Sequence, residues 1–228
     1  MNQYQASFRH YLKRIILEGF FFGFFLCFYS LPSSVFAQTA GYSKINLKNR
    51  VQIEMPDDWT INDANYRNNV REFAEKSLGM PIEHTAAFSA GSFPAPSRVR
   101  IRVSFIKTDP PIRQEDLMNE YKENPRRTLS DLASTWKEES SAMWAALAKS
   151  GLTEIGNPSY AVELIGGKTA AVFRYARSST INPAETTRVE QYHVPLGNDK
   201  ALITLSYIEG DRNALKAHSR LKQSILIQ

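Results

Sequence analysis

The sequence predicts an α+β domain: a central antiparallel sheet of about six or seven strands, flanked by helices. Two observations predict this class, namely one long amphipathic helix over 124–151 and a run of alternating strands C-terminal to it. Apolar side chains recur along the helix at steps of three and four, and they include Trp136 and Trp144. A helix face this broad needs a large surface to cover, and a sheet built from the later strands supplies one.

The ends of the long helix are marked by residues with ordinary capping roles. Asn124 precedes Pro125, the pair expected at an N-cap and a first helical position. Gly151 stands where a left-handed residue ends a helix. Because both tryptophans share the phase of the apolar stripe, we expect them to pack in the core, with a role in lining a ligand pocket as the alternative.

Residues 1–37 have the pattern of a secretory signal peptide. A basic N-terminal region is followed by the apolar run 19–31. Small residues then occupy the positions before a predicted cleavage site between Ala37 and Gln38. An uncleaved anchor is the alternative, but the run is shorter than the ~20 residues that a spanning helix needs. The only cysteine, Cys27, lies in this segment, so the cleaved product has no thiol. We expect a single domain over 38–228, periplasmic or secreted.

The charge of the chain is mild and argues against a nucleic-acid partner. Lys and Arg number 28 against 23 Asp and Glu, a net charge of +5. Removal of the signal segment takes away three basic residues and one acidic residue, which leaves about +3. No stretch after the signal approaches the length of a membrane span.

The first half of the domain alternates short strands and helices. Strands are predicted near 45–47 and 51–55, with Lys48-Asn49-Arg50 as a tight turn between them or a polar break in one strand. Trp59 is expected in the core, and Asn62 is expected to cap a helix that runs to Leu78. The other predicted elements are a weak strand over 84–92, a strong strand over 98–106 that ends at Asp109-Pro110, and a short helix over 115–122.

The second half is mostly strands. Alternation at 160–164 and 168–177 flanks a Gly166-Gly167 hairpin, and 187–196 pairs with 201–208 across a turn at 197–199. Asp211 then caps a last helix, and the chain closes on a short strand within 224–228. The inner stripe of the last helix is predicted to comprise Leu215, His218, Leu221 and Lys222.

This order of elements resembles the PsbP-like superfamily. The likeness rests on Pro56-Asp57-Asp58-Trp59 after a strand, the long central helix, the strand–hairpin–strand run, and a C-terminal helix closed by residues 224–227 (Ser-Ile-Leu-Ile). The superfamily includes the extrinsic subunit P of photosystem II, a nuclear-transport accessory protein and small bacterial envelope proteins of the DcrB type. The resemblance implies a central antiparallel sheet flanked by helices and a mostly non-enzymatic role. It carries over no catalytic residue.

No catalytic or metal motif stands out. The histidines after the signal, His84, His193 and His218, have no ligand spacing. His193 shares a strand face with Gln191, whereas Glu190 points to the other face. Residues 166–169 (GGKT) match the end of a P-loop but lack its first glycine, so they are interpreted as a hairpin turn. We therefore expect no enzymatic activity, no cofactor and no metal.

Arg98, Arg100 and Arg102 are the sharpest polar feature. Period two puts all three on one face of a strand, about 7 Å apart. One interpretation is an anion-binding, lipid-headgroup or partner surface. The other is a solvated sheet face whose arginines pair with neighbouring glutamates.

Together these features predict a non-catalytic periplasmic or secreted accessory protein that binds an envelope protein partner. The alternative is a small-ligand or lipid carrier with a pocket between the long helix and the sheet. Contact with a membrane surface fits either. A hydrolase is the third hypothesis, and it would require a buried cluster that joins His193 to a carboxylate and a hydroxyl.

Overall fold

The computed structural model describes residues 41–78, 86–92, 97–149, 151–179 and 182–228. The predicted signal peptide with Cys27, His84 and the loop 93–96 lie outside these ranges.

The described ranges contain four helices and ten strands. The helices are α1 (Ala64–Leu78), α2 (Gln114–Glu123), α3 (Pro125–Lys149) and α4 (Arg212–Ser224). The strands are β1 (Tyr42–Leu47), β2 (Val51–Pro56), β3 (Thr60–Ile61), β4 (Phe88–Gly91), β5 (Val99–Ile112), β6 (Glu154–Ile165), β7 (Lys168–Ser178), β8 (Thr186–Pro195), β9 (Gly197–Ile208) and β10 (Leu226–Ile227).

A seven-stranded antiparallel sheet is the centre of the fold, in the order β3-β4-β5-β9-β8-β7-β6. This confirms the predicted α+β class and the size of the central sheet. A second, three-stranded sheet has the order β1-β2-β10, because the last strand returns to pair with β2. Neither this separate sheet nor β3 is predicted from the sequence. The turn between β1 and β2 is a hairpin, with Lys48 and Asn49 at φ of 52° and 54°.

One hydrophobic core lies between the large sheet, the small sheet and α4. The inward side chains of β5 and β9 meet those of β2 and α4, and Trp59 joins them at 8% exposure. The core includes Val51, Ile53, Val99, Ile101, Val103, Ile203, Leu205 and Leu221. At roughly 1.5–3 kcal/mol for each large apolar side chain buried, this core is a major source of folding free energy.

The opposite face of the large sheet is covered over β7 by the long helix α3. Leu132 and Trp136 of the helix are buried against Phe173 and Tyr175 of β7, with Leu117 of α2 beside them. The prediction that the long helix covers the sheet is therefore confirmed.

The long helix begins and ends as its sequence predicts. The Arg127 backbone N–H donates to the Asn124 side-chain oxygen at 3.1 Å, which is an N-cap bond. Gly151 has φ of 73°, and its N–H donates to the Ala148 carbonyl at 3.0 Å. The N–H of Leu152 donates to the Leu147 carbonyl at 3.0 Å, which completes a Schellman end.

Three local predictions are wrong. Asp63, not Asn62, caps α1, because its carboxylate accepts from the Tyr66 N–H at 2.7 Å. In α4, Leu215 is 48% exposed and Ala214 takes the buried position, since the inner stripe follows the phase of His218 and Leu221. Strand β5 does not end near Asp109-Pro110 but continues to Ile112 after a shift of register.

Candidate functional site: an arginine cluster between α1 and β5

Arg100 and Arg102 project from β5 on the face opposite the core. Their neighbours Val99, Ile101 and Val103 are buried in the core between the two sheets. Across the sheet, Arg102 lies opposite Ser89 of β4 and Thr204 of β9. The predicted alternation along this strand is confirmed.

Arg98 is engaged by carboxylates at the start of α4 and before β8. Its guanidinium donates to Asp211, the N-cap of α4, and to Glu185 at 3.2 Å. The hydrogen bonds to Asp211 and Glu185 raise the pKa of Arg98. Bonds from the Ala214 backbone and from Arg98 hold the pKa of Asp211 below its usual value. Arg98 therefore links β5 to α4.

Arg102 is buried beneath the start of α1. The Asn62 side chain donates to Ser89 Oγ at 3.0 Å, which places the beginning of the helix beside the Ser89–Arg102 pair. Burial lowers the pKa of Arg102 to about 9; nearby Tyr66 acts to raise it and nearby Arg67 to lower it. The charge of Arg67 on α1 therefore acts on the buried guanidinium of Arg102 on β5.

Arg67 and Arg71 lie one helical turn apart on α1. Arg67 Nη1 donates to the Asn62 carbonyl at 2.5 Å, and Arg71 Nη1 pairs with Glu75 at 3.2 Å. The Nε atoms of both are buried and make no hydrogen bond to any described residue. The Nε atoms of Arg100 and Arg102 are buried in the same way, although both side chains make other contacts.

We call Arg67, Arg71, Arg100 and Arg102 the arginine cluster. The sequence predicts the β5 half of this group but not its α1 half. Two arginines four residues apart on a predicted helix were the available signal. The side of the helix that they would face depends on how α1 lies on the sheet, which its periodicity does not define.

A row of buried polar side chains continues from the cluster across the sheet. Thr204 lies opposite Arg102 on one side and Gln191 on the other. Both are buried, as is Ser104, two residues along β5 from Arg102. The oxygens Thr204 Oγ1, Gln191 Oε1 and Ser104 Oγ make no hydrogen bond within the described structure. Because buried polar atoms normally have partners, this row has capacity for water or a polar ligand.

The two described histidines, His193 and His218, lie on opposite sides of the large sheet. His193 is buried against the Phe173 ring, with centroids 4.9 Å apart, on the long-helix side of the sheet. Glu190 lies on the other side, as predicted. There it accepts from Tyr192 and Lys222 and is 4.0 Å from His218 Nε2.

The ionisable side chains around Glu190 have shifted pKa values. Burial acts to raise the pKa of Glu190, but the bonds from Tyr192 and Lys222 outweigh it and hold that pKa below its usual value. Burial lowers the pKa of His218, against the attraction of Glu190. Arg174 also lies near Glu190, at 3.6 Å. The group forms an ion-paired network that joins β7, β8 and α4.

The tryptophans of α3 are packed in an aromatic cluster. Trp136 is 2% exposed, stacks on Phe173 at 5.4 Å and lies 5.0 Å from Tyr175 between ring centroids. Trp144 meets Tyr175 edge-on at 5.7 Å. Core packing, the expected role of both residues, is what these contacts show.

In the described ranges, His, Cys, Asp and Glu side chains form no group of three or more that could hold a metal ion. None of the helices in those ranges has both the length and the apolar character of a membrane span.

Comparison with known proteins finds distant structural similarities. No family model matches the chain, and no curated protein matches it. A structure from Bacteroides thetaiotaomicron VPI-5482 is similar, with 12% identity, a TM-score of 0.40, and coverage of 78% of this chain and 45% of that one. This chain therefore spans less than half of that protein.

Two further structures are similar over most of both chains. LpqN, described as involved in cell envelope biogenesis of Mycobacterium tuberculosis, shares 11% identity at a TM-score of 0.37, with 84% of this chain and 92% of that chain covered. Cyanobacterial PsbP (CyanoP) from Synechocystis sp. PCC 6803 shares 12% identity at a TM-score of 0.46, with 87% and 99% covered. At these identities, no function is transferred.

Proposed function

We propose that this protein is a non-catalytic accessory protein of a bacterial envelope, which binds a protein partner as a PsbP-like domain over 38–228. It is exported by the segment 1–37, which is cleaved between Ala37 and Gln38. The observation that supports a binding role is the mixed-charge surface where β5, β8 and α4 begin. Arg98 is 39% exposed there between Asp211 and Glu185, and Arg188 pairs with Glu209 at 2.5 Å nearby.

This surface suits a protein partner because its charges are held in place. Arg98 is bound by two carboxylates on different segments, so the guanidinium has lost part of its rotamer freedom before a partner arrives. Ordered charges at the rim of an interface contribute mainly to orientation and association rate.

Photo-cross-linking in cells tests this proposal. A photoreactive amino acid replaces Arg212, which is exposed beside Asp211, and the matched control carries it at Arg126, which is exposed on α3. We expect one dominant adduct from position 212 and none from 126, and we expect Arg98→Glu to reduce that adduct. Equal labelling from both positions would contradict the proposal.

A polar-ligand carrier is the second candidate. The buried oxygens of Ser104, Gln191 and Thr204 favour it, because they offer hydrogen-bonding capacity on the long-helix side of the sheet. Trp136 fills the space between α3 and β7, so a ligand would lie over β5, β9 and β8. Mass spectrometry of the natively purified protein tests this, since a copurifying polar molecule without a protein partner would favour it.

A further inference from the structure

We propose that the outer edge of β6 pairs with the same edge of a second copy of this chain, so that the two seven-stranded sheets become one. The pairing is antiparallel, about a two-fold axis at Val162. It does not involve the surface at Arg98, and the inference stands whether or not that surface binds a protein.

The first argument is the position and length of β6. It runs over Glu154–Ile165 at one end of the large sheet, and the sheet order places no described strand on its outer side. The strand at the other end of the sheet, β3, has only two residues. A long edge strand presents a row of backbone N–H and C=O groups that can pair with a further strand.

The hairpin that follows β6 defines which of its backbone groups point outward. Gly166 and Gly167 form the two-residue loop, both with positive φ, at 57° and 81°. Ile165 lies opposite Lys168 across this loop. Residues that flank such a loop exchange hydrogen bonds with each other, and bonded and unbonded positions then alternate along the strand. Ile165 and every second residue before it therefore bond to β7.

The residues between these positions direct their N–H and C=O groups away from β7. They are Tyr160, Val162 and Leu164. Pro158 has the same phase, which fits an edge strand because proline has no N–H to donate on its outer side. Pro158 and the irregularity between Ile155 and Ser159 protect the first half of β6 from pairing. The second half, from Tyr160 to Leu164, has neither feature.

This unprotected half is complementary to itself. With a two-fold axis at Val162, Tyr160 lies opposite Leu164 of the partner subunit, and the three facing pairs can make about six hydrogen bonds. Glu163 then faces an alanine, and its carboxylate is neutralised by Arg174 of its own chain at 2.5 Å. An axis at Glu163 would place two carboxylates opposite each other, which is unfavourable.

The same pairing covers an exposed apolar side chain. Leu164 is 65% exposed, the highest value among the large apolar side chains that the structure describes. It shares a face with Tyr160, whose ring is held edge-on by Trp136 at 6.4 Å and by Phe173 at 6.0 Å. A leucine opposite an aromatic residue is a favourable cross-strand pair. Because Tyr160 is already held in place, little side-chain entropy is lost on association.

Cysteine cross-linking tests this register. The chain over 38–228 has no cysteine, so Val162→Cys introduces its only thiol. With the axis at Val162, the two introduced thiols belong to directly opposed residues with Cα atoms about 5.5 Å apart, which is within disulfide range. The matched control is Leu164→Cys, which is more exposed but lies about 14 Å along the strand from its copy. Under mild oxidation, we expect a linked dimer from Val162→Cys and at least tenfold less from Leu164→Cys.

Sedimentation velocity at increasing protein concentration measures the association itself. We expect a monomer–dimer equilibrium that Leu164→Lys weakens at least tenfold, because lysine opposes pairing at natural sheet edges. The matched control is Leu215→Lys, since Leu215 is also exposed, at 48%, but lies on α4. That control should associate within twofold of the unmodified protein.

Val162→Pro provides a second variant that acts on the backbone. It removes the central outward N–H and leaves the hydrogen bonds from β6 to β7 in place, so it should also weaken the dimer at least tenfold. Circular dichroism checks the fold of each variant.

Three results would overturn the proposal. One is a monomer at every concentration, including a monomer that instead binds an extended peptide of another protein along β6. The others are equal cross-linking from Val162→Cys and Leu164→Cys, and equal weakening by Leu164→Lys and Leu215→Lys.

Discussion

Replacement of Trp136 by alanine tests whether the long helix is anchored by its aromatic contacts. The indole is 2% exposed and packs against Phe173 and Tyr175, with Tyr160 edge-on at 6.4 Å. Truncation of a buried tryptophan typically costs about 3–5 kcal/mol, because transfer free energy is lost and a cavity remains. Each aromatic pair adds about 0.5–1.5 kcal/mol, so a value near the upper end is expected. For a domain of this size, the melting temperature should fall by on the order of 10 °C.

Urea unfolding followed by tryptophan fluorescence and near-ultraviolet circular dichroism measures this loss. Trp144→Ala is the matched control, because Trp144 is half-buried and its one described ring contact is with Tyr175. Its truncation should cost about 1–2 kcal/mol. If the two variants lose equal stability, or if Trp136→Ala costs less than about 1 kcal/mol, the aromatic cluster does not anchor α3 and the reasoning fails.

Three further predictions concern pH, a cap and a turn. The pKa of His218 in the folded protein is below its unfolded value of 6.5, so the unfolded chain binds a proton first and stability is lost as pH falls below 6.5. His218→Gln should therefore reduce the loss of unfolding free energy between pH 7.5 and 5.5, measured by urea unfolding. Asp211→Ala should cost about 1–2 kcal/mol, since it removes the cap bonds to Asn213 and Ala214, whereas the neighbouring Asn213→Ala should cost less than half of that in the same assay. Gly151→Ala should cost about 1–2 kcal/mol of unfolding free energy. The whole cost comes from the backbone φ of 73°, because a Cβ there would meet nothing within 4 Å. A loss of less than about 0.5 kcal/mol by thermal melting would contradict that explanation.

The local parts of the fold follow from the sequence because their causes are local. The ends of α3 depend on Asn124 and Gly151, which act within one turn of the helix. The second sheet has no such local cause. Leu226 of β10 lies opposite Gln52 of β2, near the other end of the chain, and no periodicity in either strand specifies that partner. The sequence predicts that β10 is a strand, and only the packed structure shows which edge it pairs with.

The sequence predicts only part of the candidate site, because the rest depends on contacts between distant segments of the chain. Alternation along β5 places Arg100 and Arg102 on one face, which is a property of any strand. The start of α1 is placed beside Arg102 by the contact of Asn62 with Ser89, which lies opposite Arg102 on a separate strand. From the sequence alone, Arg67 and Arg71 are residues of an amphipathic helix whose position on the sheet is not defined.

The long-helix face of the sheet is divided between two kinds of chemistry. Over β7 it is aromatic, and Phe173 and Tyr175 bind α3 through Trp136. Over β8, β9 and β5 the same face carries Gln191, Thr204 and Arg102, all buried. Burial of polar groups opposes folding unless they are hydrogen-bonded, and the oxygens Thr204 Oγ1 and Gln191 Oε1 make no hydrogen bond within the described structure. Apolar side chains at these two positions would avoid that cost. The buried oxygens of Thr204 and Gln191 are therefore the first places to probe for a polar ligand.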